Sequence, residues 1–190
     1  NSSGQIDVPP LGIGQRYVTV TASSFASGAV RSDGALLLWG HDVSGNTVAP
    51  ALPVGVGYVD VAMSGSHTLA LRSDGVVVAF GSNSHGQCAV PPLPSGLRYT
   101  SVSANHLRSA VLRSDGVVFC LGLVNNPQYG VPALPAGHVW TEVEIGGDWP
   151  VGISSEGILY AWESSGLNLP SPPPGTVCVE VASGDGHGVV

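Results

Sequence analysis

The chain has 190 residues, of which 43% are apolar and 10% charged, so it can bury a full core and is no disordered polymer. Its net charge is −7 and it contains no lysine, which removes the basic footprint that nucleic-acid phosphates require. Three cysteines without CxxC or Cys/His spacing exclude a disulfide framework or zinc ribbon and point to reduced thiols in an intracellular setting, and no apolar run nears the ~20 residues of a membrane span.

Residues 1–16, with Gly4-Gln5 and Val8-Pro9-Pro10, read as the end of a preceding unit. From there the chain repeats. Tyr17, Tyr58, Tyr99 and Trp140 stand 41 residues apart, and sixteen residues after each come Asp33-Gly34, Asp74-Gly75, Asp115-Gly116 and Glu156-Gly157. These landmarks divide the chain into units 17–57, 58–98, 99–139 and 140–177, with 178–190 as the start of another. A period near 40 without helical patterning means an array of β units.

The unit 58–98 serves as template. Tyr58 to Ala62 alternates apolar and polar residues as a half-buried strand does, and Ser64-Gly65-Ser66 is a turn. Thr68 to Arg72 is a second strand and Val76 to Phe80 a third, joined by Asp74-Gly75 as a type I′ hairpin. Gln87 to Val90 is the candidate for a fourth, outer strand, ended by Pro91-Pro92-Leu93-Pro94 because proline has no N–H to donate. Similar proline segments at 50–53, 132–135 and 170–174 make this a rigid crossover between units. Four short antiparallel strands per repeat predict an all-β fold, a β-propeller of four-stranded blades.

Val61, Gly65, His67, Ala70-Leu71, Asp74-Gly75, Val76 to Val78, Phe80-Gly81, Asn83 and Gly86-Gln87 together form a motif that resembles the repeat of the regulator of chromosome condensation family. The resemblance implies a β-propeller, usually of seven blades, of which this chain would be a segment. It also implies protein partners. The family's namesake exchanges guanine nucleotide on a small GTPase, an activity tied to an inserted wedge that the even repeats here lack. Other propellers of this repeat type regulate ubiquitin ligases or inhibit secreted enzymes.

No catalytic, cofactor-binding or metal-binding constellation stands out. Ser66-His67 and Ser84-His85 put a nucleophile beside a base, but sequence neighbours in β structure rarely face each other. Arg31, Arg72 and Arg113 share one slot before the Asp-Gly turn, which marks them as parts of the fold. The turns after the first and third strands emerge on one face, and their residues vary from unit to unit. Varied loops on a rigid scaffold are where recognition concentrates. Phe25, His67, His106, Arg108, Asp148, Trp149 and His187 are the candidate partner-binding residues, with Arg108 and Trp149 as anchors because both replace the His of the repeat. The function that follows is a non-enzymatic protein-binding propeller, a scaffold or accessory subunit of a larger assembly, with no cofactor, no nucleic acid and no membrane span.

Overall fold

The computed structural model describes residues 1–123, 130–146, 150–162, 169, 173, 175–183 and the backbone of 188–189. All its regular structure is β. Four three-stranded antiparallel sheets follow one another: β1 (Tyr17–Ala22), β2 (Ala26–Arg31) and β3 (Leu36–Gly40); β4 (Tyr58–Met63), β5 (His67–Arg72) and β6 (Val77–Gly81); β7 (Tyr99–Asn105), β8 (Arg108–Arg113) and β9 (Val118–Gly122); β10 (Trp140–Ile145), β11 (Pro150–Ser154) and β12 (Leu159–Ala161). A short pair, β13 (Ala182–Ser183) with β14 (Gly188–Val189), begins a fifth. Among the described residues no helix is long and apolar enough to cross a membrane.

The innermost strands β1, β4, β7 and β10 pack side by side in succession, and each opens with a β-bulge between its first and third residues. The bulge explains a burial pattern that simple alternation forbids. Tyr58 and Val61 lie three residues apart, an odd spacing, yet both are buried with Met63, because the extra residue Val59 resets which side faces inward. The buried side of each inner strand then packs on the second and third strands of the blade before it. Tyr58, Val61 and Met63 meet Ala26, Val30, Leu36 and Leu38; Tyr99 and Val102 meet Leu69, Leu71 and Val77; Trp140, Val143 and Ile145 meet Ala110, Leu112, Val118 and Cys120. Each buried Val, Leu, Ile or Met among them contributes about 1.5–3 kcal/mol relative to exposure.

Two local expectations are corrected. The blades are three-stranded where the fourth strand is fully described: residues 87–90 form turn and irregular chain, not a ladder. Three of their amides bond locally, Cys88 N donating to Asn83 Oδ1, Ala89 N to Gly86 O and Val90 N to Cys88 O. The Asp-Gly hairpins are also not type I′. Gly75 N bonds Arg72 O, so Ser73 and Asp74 are the central residues of the turn, and neither has positive φ. Gly75, at φ +82°, follows as a left-handed bulge residue, and Arg72 N closes the loop onto Val76 O. This is a type I turn with a G1 bulge. Arg72 wraps Asp74 in a two-pronged fork here, as Arg31 does Asp33 and Arg113 does Asp115. The guanidinium holds each of these carboxyls below its ordinary range.

The proline segments at 50–53 and 91–94 are crossovers, as expected. The Tyr58 hydroxyl donates to Pro50 O at 3.1 Å and that of Tyr99 to Pro91 O at 2.7 Å; Tyr17 and Pro9 make the same bond.

Candidate functional site

Antiparallel order sends the turns that follow the inner strands to one face of the blades and the forked hairpins with the crossovers to the other. The loop face holds the sequence-predicted residues in three different situations. Phe25 is half-exposed and meets the exposed ring of His41 edge-on, with centroids 6.4 Å apart. His106 is exposed at φ 48°, the one non-glycine residue with positive φ among those described, in the tight turn that pairs Asn105 with Arg108. Arg108 begins β8, and its Nε donates to Leu123 O at 3.1 Å, tying the first loop of its blade to the third-strand end. Asp148, Trp149 and His187 lie outside the described residues.

His67 is different, since it is fully buried and offers no surface to a partner. Its Nδ1 lies 2.6 Å from Ser64 Oγ, and its Nε2 lies 2.7 Å from Ser109 Oγ in the next blade. Burial, against a weaker opposing influence of the Arg108 backbone carbonyl, pushes its pKa down to about 4. The exposed pair Ser84 and His85, in contrast to the sequence reading, does face itself at 2.9 Å, Oγ to Nδ1. Among the described residues no carboxylate holds the other nitrogen of either imidazole, and none of the His, Cys, Asp and Glu side chains group to hold a metal ion.

The loop face opens onto a channel of about 990 Å³ bounded by the inner strands. Its wall carries Thr19, Asp60, Ser101 and Glu142 in one register position and Thr21, Ala62, Ser103 and Glu144 in the next, with Glu180 from the following unit. Among the described residues no Arg side chain lines it, and Asp60, Glu142, Glu144 and Glu180 make the wall acidic. Burial raises the pKa of Asp60, opposed by the Val61 amide and the Thr19 hydroxyl. Glu142 is raised by burial and by Glu180. Glu144 is pushed up to about 7, chiefly by burial and further by Glu142 and Asp60, while the hydroxyl of Ser103, bonded at 2.9 Å, opposes the shift.

The sequence analysis named none of these carboxylates as a candidate site. The signal was present. Positions 60 and 142 differ by two periods of 41, and a period shared by inner strands places equal positions around one axis.

Residues 58–87 match the family model described as the regulator of chromosome condensation (RCC1) repeat. No curated protein sequence matches the chain. Solved structures do match its fold. Human WBSCR16 aligns with a TM-score of 0.73 at 18% identity, over 93% of this chain and 57% of its own. Prp20p from Saccharomyces cerevisiae aligns with a TM-score of 0.65 at 19% identity, over 80% of this chain and 46% of its own. The ectodomain of the receptor kinase CR4 from Physcomitrella patens aligns with a TM-score of 0.65 at 17% identity, over 95% of this chain and 49% of its own. The chain thus spans about half the length of the structures it resembles. It carries the regulator of chromosome condensation repeat and has the β-propeller fold of the proteins built on it.

Proposed function

We propose that the chain is a non-enzymatic, protein-binding propeller, a scaffold or accessory subunit whose recognition surface is the loop face. The contrast between the two faces carries this reading. On the hairpin face, three arginines are committed to three aspartates in the same fork, blade after blade. On the loop face one position holds Ser24, Gly65 and His106 in successive blades, and the next holds Phe25, Ser66 and Leu107. Repetition serves the fold, and departure from it at exposed loops suits a specific partner.

A protein partner accords with the solved relatives, since the Prp20p structure was described with its binding to Gsp1p and histones, and another with Kap60 bound to it. The acidic channel and the fork-bound arginines weigh against nucleic acid as partner. The Ser-His pairs without an orienting carboxylate weigh against nucleophilic catalysis. The test is affinity capture and quantitative binding of the captured partner with Phe25→Ala, Arg108→Ala and, on the hairpin face, Asp115→Asn, all checked for fold by circular dichroism. A desolvated aromatic or Arg anchor should cost at least ~2 kcal/mol, about 30-fold in affinity. Loss of binding only in Asp115→Asn would place recognition on the other face and overturn the reading.

A further inference from the structure

The buried imidazole of His67 sits at the seam between the second and third blades, and the surrounding bonds fix where its proton lies. Ser109 Oγ gives its single proton to Gln87 O at 2.9 Å, so at 2.7 Å it must accept from His67 Nε2–H. The Arg108 backbone carbonyl also faces the ring and likewise requires a donor. Nδ1 is therefore bare and accepts the Ser64 hydroxyl proton at 2.6 Å. Ser64 Oγ in turn accepts the amides of Ser66 at 3.3 Å and His67 at 3.2 Å. The Ser64 hydroxyl also lies 3.4 Å from the His67 carbonyl, a second and longer acceptor for its proton.

We propose that this relay is an acid-opened clasp between the second and third blades. A solvent proton bound at Nδ1 turns the Ser64 hydroxyl to its longer acceptor, the His67 carbonyl at 3.4 Å, and leaves a buried cation in the seam, whose burial cost favours separation of the 64–67 loop from the start of β8. Among the described residues nothing nearby would compensate that charge. The charged and titratable groups on the strands packed against β5 are Tyr58 and Asp60 on β4, Tyr99 on β7, and Arg108 and Arg113 on β8, with His106 in the β7–β8 turn. Tyr99 and Arg113 pair with each other at the hairpin end, away from the imidazole. Among the described residues no carboxylate acts on His67; burial lowers its pKa, and the Arg108 carbonyl opposes.

The sign follows from linkage. The folded state disfavours the protonated ring, so the clasp is fully closed above the ordinary His pKa of 6.5 and is lost as pH falls toward about 4. A displacement of that size corresponds to a change of up to ~300-fold in the closing equilibrium. The test is amide hydrogen exchange at residues 64–68 and 108–109 between pH 7.5 and 4, corrected for intrinsic rates, beside an NMR titration of the His67 ring. Protection at these amides is expected to fall ~100-fold or more while Leu71 and Val111 in the core hold. In His67→Gln, which keeps a polar side chain but does not titrate there, the fall should vanish. Equal acid opening in His67→Gln overturns the clasp. Should that variant not fold at pH 7.5, the parent decides: a His67 that titrates near 6.5, or amides that stay protected at pH 4, overturns it equally.

Discussion

Thr68 and Asn46 are joined across the first blade boundary by a 2.8 Å bond from the Thr68 hydroxyl to the Asn46 carbonyl. The same stitch, spanning 22 residues, runs from Ser27 to Gln5 and from Ser109 to Gln87. It binds the loop that leaves one blade to the second strand of the next. In the fourth unit the hydroxyl position is Pro150, which cannot make it.

Thr68→Val should therefore cost about 1–3 kcal/mol, because the shape is kept and the buried Asn46 carbonyl loses its donor. Urea unfolding measures it. A variant as stable as the parent would show that the stitch adds nothing beyond packing.

Two glycines with the same φ of +82° should respond differently. At Gly75 an added Cβ would lie 2.3 Å from Arg98 Cβ, whereas at Gly86 nothing stands within 4 Å. Gly86→Ala should cost only the left-handed penalty of about 1–2 kcal/mol. Gly75→Ala should cost that and the displacement of the Arg98 backbone, more than ~2 kcal/mol in all. Equal losses in urea would show that crossover packing at the hairpin is loose.

The contrast between those glycines marks what was legible in the chain. The positive φ of Gly34, Gly75, Gly116 and Gly157 followed from Asp-Gly or Glu-Gly between apolar runs, and the strand order followed from the period. The turn type did not, because type I with a G1 bulge and type I′ both demand a left-handed glycine. The fourth strand failed for a different reason. Gln87 to Val90 has strand composition, but Gln87 turns inward and is fully buried, with its Oε1 accepting the His85 amide. His67 looked like a surface loop residue because a one-dimensional pattern does not show that the next blade brings Ser109 over it.

Glu144 should make stability depend on pH in the sense opposite to His67. Its folded pKa of about 7 lies above the ordinary 4.5, so the folded state holds the proton longer than the unfolded chain does. Its contribution is complete below pH 4.5 and is lost as pH rises through 7. Glu144→Gln keeps an acceptor for Ser103 and removes the charge. It should stabilise the protein by on the order of 1–2 kcal/mol at pH 8, allowing for the open side of the channel, and by almost nothing at pH 4. Thermal melts at the two pH values decide; a gain that is equal at both would mean that charge burial is not the cause.

His106 separates stability from recognition. A φ of 48° on a residue with a Cβ carries a left-handed penalty of roughly 1 kcal/mol that glycine would not. His106→Gly should therefore fold at least as well as the parent, even with the ring's own interactions removed. The exposed ring at the channel mouth, next to Arg108, is what a partner on the loop face would meet. Binding of the captured partner should weaken about 10-fold in a variant that is no less stable. Unfolding in urea and the dissociation constant measured on the same preparation give both quantities. A His106→Gly protein that binds as the parent does would remove the His106 ring from the recognition surface and leave Phe25 and Arg108 to carry it.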